Sequence, residues 1–165
     1  MTAREFTRIY NKLYMPLCMY ALRITENTAL AHDTVQGSFM RIWGMIREGH
    51  EINSIERYLY RAVRNAAIEQ IRNEDRYTSL PENMDEVSEE DIDTAERDAR
   101  LWQAIDSMPP RRREIFLMSR RDGLTYAEIA DELGLSVKTV ENQIAKATAS
   151  LRGNTRINYF VLTFL

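Results

Sequence analysis

The chain has 165 residues, 44% hydrophobic and 28% charged, the ordinary balance of a soluble globular protein with room for one medium domain or two small ones. A single cysteine, Cys18, excludes an internal disulfide framework, and no stretch approaches the ~18 apolar residues of a membrane span. The N-terminal MTAREFTRIYNKLY has no signal-peptide apolar core, so a cytoplasmic protein is expected.

The net charge of −3 argues weakly against a nucleic-acid partner, but the total hides its distribution. Residues 1–72 carry ten Lys and Arg against seven Asp and Glu, and residues 111–152 carry eight against six. Between these mildly basic blocks, residues 74–98 hold eleven acids against Arg76 and Arg97, a balance of −9. The segment NEDRYTSLPENMDEVSEEDIDT has one proline, few large apolar side chains and no clean helical period. It buries too little to offset the entropy of ordering and reads as a flexible acidic linker.

Both flanking blocks read as helical, since strict apolar alternation is absent. Phe6, Ile9 and Leu13 begin a stripe continued by Leu17, Tyr20, Ala21 and Ile24, with Cys18 as a buried structural thiol. Pro16 is expected to end or kink that helix, because an interior proline forfeits a hydrogen bond and crowds the preceding turn. Val35, Phe39, Ile42, Trp43 and Ile46 mark a second helix. Ser54 is placed to cap a third, with Ile55, Leu59, Ala62, Val63 and Ala66 on its buried side. Arg57, Arg61, Arg64, Asn65 and Arg72 cluster away from that side. Such a face is either solvated or suited to phosphates and unpaired bases, and few acids share this helix.

The second block opens with Ala95, Ala99, Trp102 and Ile105, stops at Pro109-Pro110 and restarts as RRREIFLMSRR. Three arginines at a helix start oppose the dipole and read either as a solvated run or as phosphate contacts, Arg112 among them. After a break at Asp122-Gly123, Tyr126, Ile129, Ala130 and Leu133 line one face of a short helix. Gly134 supplies the left-handed cap, Ser136 caps the next helix, and Val140, Ile144, Ala147 and Leu151 form its core stripe. At ~100° per residue, the opposite face carries Lys138, Asn142, Ala145 and Ala149, flanked by Thr139 and Lys146. This is a helix-turn-helix, with side chains suited to phosphates and base edges. The apolar tail INYFVLTFL, residues 157–165, is too short to span a membrane. It is left to pack on a domain, seal an inactive state or bind a partner.

No glycine-rich phosphate loop, Cys-x-x-Cys or His-Glu-x-x-His is present, and His32 and His50 stand alone as expected surface residues. The expectation is a protein without catalytic residues, metal, cofactor or small-molecule substrate. It is all-α, with two small helical domains at residues 1–73 and 95–152, a flexible linker at 74–94 and a tail at 153–165. The second domain is the helix-turn-helix.

The order and spacing of AHDTVQGSFMRIWGMI, YLYRAVRNAAIEQIRN, AIDSMPPRRREIFLMSRRDGLTYAEIADELGLS and VKTVENQIAKATASLR resemble the extracytoplasmic-function (ECF) group of bacterial RNA polymerase sigma factors. These keep only regions 2 and 4 of larger relatives. The resemblance implies a region 2 domain that engages and opens the −10 element through Arg61, Arg64, Asn65 and Arg72. The face with Asp33, Gln36 and Phe39 would meet core RNA polymerase, with Asp33 and Gln36 the better contact candidates and core packing the favoured reading of Phe39 and Trp43. A region 4 domain would read the −35 element of promoter DNA through Lys138, Thr139, Asn142, Gln143 and Lys146, with Arg112 beside them. An anti-sigma partner, often membrane-bound in the family, is also implied. Two residues depart from the family pattern: Gly37 stands where an acid is usual, and Glu69 replaces an aspartate. A response-regulator or quorum-sensing factor shares the GLSVKTVENQIAKA helix, but would carry an α/β sensing domain in front of it.

Overall fold

The computed structural model describes residues 1–74, 86–151 and 159–163. Every element among the described residues is helical: α1 (Ala3–Thr25), α2 (Thr28–Arg47), α3 (Ile55–Glu74), α4 (Glu89–Asp106), α5 (Pro110–Arg120), α6 (Tyr126–Leu133), α7 (Val137–Ser150) and α8 (Tyr159–Thr163). The chain divides into two compact units, Met1–Arg97 and Asp98–Leu165. The first half of α4 belongs to one unit and the second half to the other.

In the first unit, α1 starts with a capping box. The Thr2 side chain accepts from the Glu5 amide, and the Glu5 carboxylate accepts from the Thr2 amide. Those hydrogen bonds hold the Glu5 carboxyl below its usual range and satisfy two groups that a helix start otherwise leaves open. Of the two outcomes expected at Pro16, an end is not found: the helix continues through it to Thr25. The carbonyl that loses its donor is that of Lys12, an exposed residue, where water can replace the missing N–H. Buried Leu13, Leu17, Cys18 and Ala21 anchor the helix on either side. Asn27 caps α2 by accepting from the Leu30 amide, and Ser54 accepts from the Arg57 amide at 3.4 Å at the start of α3.

The three helices pack on one another pairwise. Leu13, Leu17 and Ala21 of α1, Val35, Phe39 and Ile42 of α2, and Leu59, Val63 and Ala67 of α3 are among the buried apolar side chains of these packed helices. Phe39 is buried as expected, and Trp43 packs on Phe6 with the rings tilted by 34° and their centroids 4.7 Å apart. His32 is not the lone surface residue expected. Its Nδ1 lies 3.0 Å from the Tyr14 hydroxyl and 3.4 Å from the Cys18 sulfur. Burial pushes both Tyr14 and Cys18 up to about 12.

The linker expectation is corrected at its C-terminal end, where α4 begins at Glu89 and makes residues 89–94 helical. The reason lies in SEED. Ser88 Oγ accepts from the Asp91 amide, and Asp91 Oδ2 accepts from the Ser88 amide, a cap of the boxed kind. Three acids in the first turn also suit the positive end of the helix dipole. The rest of the expected linker, residues 75–85, lies outside the described residues.

In the second unit, Pro110 opens α5 at the position where its missing donor costs nothing. Ile115 then faces Ile129, Ala130, Val140 and Ile144 of the helix-turn-helix. Phe116 and Leu117 turn the other way, into a cluster with Leu101, Ile105, Met108, Ala147 and Leu151. Val161 and Leu162 of the apolar tail complete that second cluster. Of the roles left open for the tail, packing on its own domain is the one found for 159–163. Burial of each such side chain is worth about 1.5–3 kcal/mol.

Candidate nucleic-acid interface

The α6–turn–α7 segment owes its geometry to local chemistry at three points. Thr125 and Glu128 form a capping box, and the Thr125 amide lowers the Glu128 carboxyl below its usual range. Gly134 ends α6 at φ +66°, a conformation that costs a residue with a Cβ about 1–2 kcal/mol. The Leu135 amide then bonds back to the Ala130 carbonyl at 2.8 Å, the closure of a Schellman-type cap. Ser136 Oγ accepts from the Thr139 amide at 3.1 Å and starts α7.

With Val140, Ile144 and Ala147 buried, the opposite face of α7 is open. Lys138, Thr139, Asn142, Ala145 and Lys146 are all exposed. Thr139 Oγ1 lies 2.8 Å from Ser136 Oγ and so shares its hydroxyl with the cap. Lys138 has Glu141 at 3.7 Å, both solvent-exposed, an interaction too weak to hold the lysine. Gln143 is half-buried on the flank of this face, and Arg112 Nε donates to its Oε1 at 3.2 Å. Arginine offers only donors, so this contact turns the Gln143 carboxamide oxygen toward α5. The structure thereby brings Arg112 of α5 into contact with Gln143 of α7, two residues expected in the same −35 set.

The basic face of α3 is only partly as expected. Arg61, Asn65 and Arg72 are exposed. Arg64 is not: it is 7% exposed. It follows Tyr60 by one helical turn on the edge of the apolar arc, and Tyr60 is fully buried with its ring edge-on to Tyr20, centroids 5.3 Å apart. Arg57 is exposed but ion-paired with Glu89 of α4.

Sequence reasoning missed the loop between α2 and α3. An open cavity of about 360 Å³ lies there, lined by Met45, His50, Asn53, Arg57, Tyr58 and Arg61 among others. Tyr58 is an exposed aromatic whose hydroxyl lies 3.5 Å from the Met45 sulfur. An exposed tyrosine beside two arginines was the available signal.

On α2, Asp33 and Gln36 are both exposed, and Gln36 Nε2 donates to the Tyr14 hydroxyl at 3.4 Å. At Gly37 a Cβ would meet nothing within 4 Å, so the departure from the family pattern leaves open space. Among the described residues no group of His, Cys, Asp or Glu side chains is arranged to hold a metal, and no helix is long and apolar enough to cross a membrane.

Two helical units, one with a basic helix beside a cavity and one with an open helix-turn-helix, give a helical protein with two candidate nucleic-acid faces. The family models agree: residues 9–77 match Sigma-70 region 2 and residues 98–151 match Sigma-70, region 4. The ECF RNA polymerase sigma factor SigE of Mycolicibacterium smegmatis is 30% identical over 140 residues, which cover 80% of this chain and 54% of that protein. The ferric citrate uptake sigma factor FecI of Escherichia coli is 29% identical over 150 residues, 86% of each. The probable RNA polymerase sigma factor RfaY of Xanthomonas campestris is 26% identical over 90% of this chain. The chain belongs to the sigma-70 family of RNA polymerase sigma factors, in its ECF group. It spans about half the length of SigE and 40% of RfaY. A solved structure, the sigma factor RpoE in complex with the anti-sigma factor NepR from Bartonella quintana, is 15% identical with a TM-score of 0.39, covering 94% of this chain and 99% of that one.

Proposed function

We propose that this chain directs core RNA polymerase to promoters and helps to open them, without catalysing a reaction itself. In this reading α7 lies in the major groove of the −35 element. Lys138 and Lys146 meet phosphates or guanine, Asn142 meets base edges, and the Arg112–Gln143 pair supports one flank. The α3 face, through Arg61, Asn65 and Arg72, holds the −10 element, and the cavity beside Tyr58 gives an unpaired base somewhere to go. Binding energy spent on unpaired DNA favours the open state, as any differential affinity does. Asp33 and Gln36 of α2 face the polymerase. An anti-sigma protein that covers either face would silence the chain in the cytoplasm.

The observation that carries this reading is the open α7 face, with Lys138, Asn142 and Lys146 exposed on a helix held from behind by Val140, Ile144 and Ala147. A response regulator would show the same face. Its front domain would contain a sheet, and the described residues of the first unit contain only helices. The test is transcription of a promoter-fragment library with core polymerase, with and without the chain. Transcripts from a defined subset that require both components are expected. Tight, sequence-specific DNA binding by the chain alone, with no effect on polymerase, would overturn the reading in favour of a free-standing regulator.

A further inference from the structure

The α3 face is covered along one edge by an element of opposite charge. Glu89, in the first turn of α4, is ion-paired with Arg57. Ile92 and Ala95, one helical turn apart on α4, are buried. Asp91 and Arg64 both lie within electrostatic reach of the Tyr20 hydroxyl, and Glu96 lies within reach of Tyr60. Polar groups on this side of α3 are left incompletely satisfied. The Arg64 guanidinium is buried, yet one of its nitrogens, Nη2, has no hydrogen-bond partner, and neither has the Tyr60 hydroxyl. A buried donor without a partner is a cost in the covered state, and an exposed ion pair such as Arg57–Glu89 holds only weakly. Such a contact is suited to release.

We propose that the acidic first half of α4 acts as a displaceable cover on the nucleic-acid face of α3, occupying Arg57 and burying Arg64 until DNA or polymerase draws the helix away. The proposal rests on the reading of α3 as a DNA-binding face. It gives the acids at the end of the expected linker a regulatory role, in which their carboxylates hold the arginines that phosphates would otherwise take.

The test uses the full chain and a labelled, mixed-sequence single-stranded DNA, with binding followed by anisotropy. Two charge-matched pairs on the same helix are compared. Glu89→Gln with Glu96→Gln removes the carboxylates nearest α3, whereas Glu90→Gln with Asp93→Asn removes two exposed ones. The first pair should bind about fivefold tighter than the parent, the scale of one exposed ion pair, and the second should stay near the parent. The gain should vanish in an Arg57→Ala background. Equal gains from both pairs, or no gain from the first, would overturn the cover while Arg61→Ala still weakens binding and upholds the α3 reading. If Arg61→Ala leaves binding unchanged, the α3 reading fails and the cover falls with it.

Discussion

The two candidate DNA faces are built on helices of similar amphipathic design, yet one is open and the other partly occupied. On α7 every expected DNA contact apart from Gln143 is exposed. On α3 one of the four expected contacts, Arg64, is buried, and the neighbouring Arg57 is tied to α4. The difference teaches what helical periodicity can and cannot report. A stripe shows which side of a helix meets its own core. It does not show whether a further helix lies against the other side.

The largest expected effect breaks the comparison at its scaffold. Ile144→Ala deletes a buried side chain behind the α7 face and should cost about 2–5 kcal/mol. Thermal unfolding should show the second unit melting early, with −35 binding lost and the first unit unaffected. A second effect sets the units apart by pH. Burial raises Tyr14, Tyr20 and Cys18 to about 12, from 10.0 for the tyrosines and 9.0 for the thiol. The folded state therefore favours the neutral forms. Stability is complete below the unfolded values and is lost as pH climbs from about 9–10 through about 12. Alkaline titration followed by circular dichroism should show the first unit unfolding in that window ahead of the second. The smallest effect is at Tyr60→Phe, which removes a buried hydroxyl that has no partner. Stability should stay level or rise by up to about 1 kcal/mol, measured by denaturant unfolding.

Much of the α7 side was legible in the sequence because its signals are local. Gly134 takes the left-handed conformation, Ser136 caps, and the Val140–Ile144–Ala147 stripe is buried as its spacing implies. Other features escaped for identifiable reasons. The start of α4 was hidden because its acids were weighed as net charge, although the same acids at a helix N-terminus, behind Ser88, favour the helix. Pro16 was read by its intrinsic cost, whereas buried neighbours on both sides override that cost. Arg64 was assigned by its angle on α3, and its burial depends on packing beyond that helix. The tail residues Val161 and Leu162 were seen as apolar, but only the fold places them against Phe116 and Leu151.

The central claim is that one chain grips a promoter at two places through two different helices. It is tested most directly by footprinting a promoter complex with core polymerase, using permanganate to detect unpaired thymines. Lys138→Ala with Lys146→Ala should remove protection at −35 and lower the salt dependence of binding by about one unit of slope per lysine. Arg61→Ala with Arg72→Ala should instead remove the unpaired thymines at −10 while the −35 protection persists. Loss of both signals together from either pair, or of neither, would contradict the account.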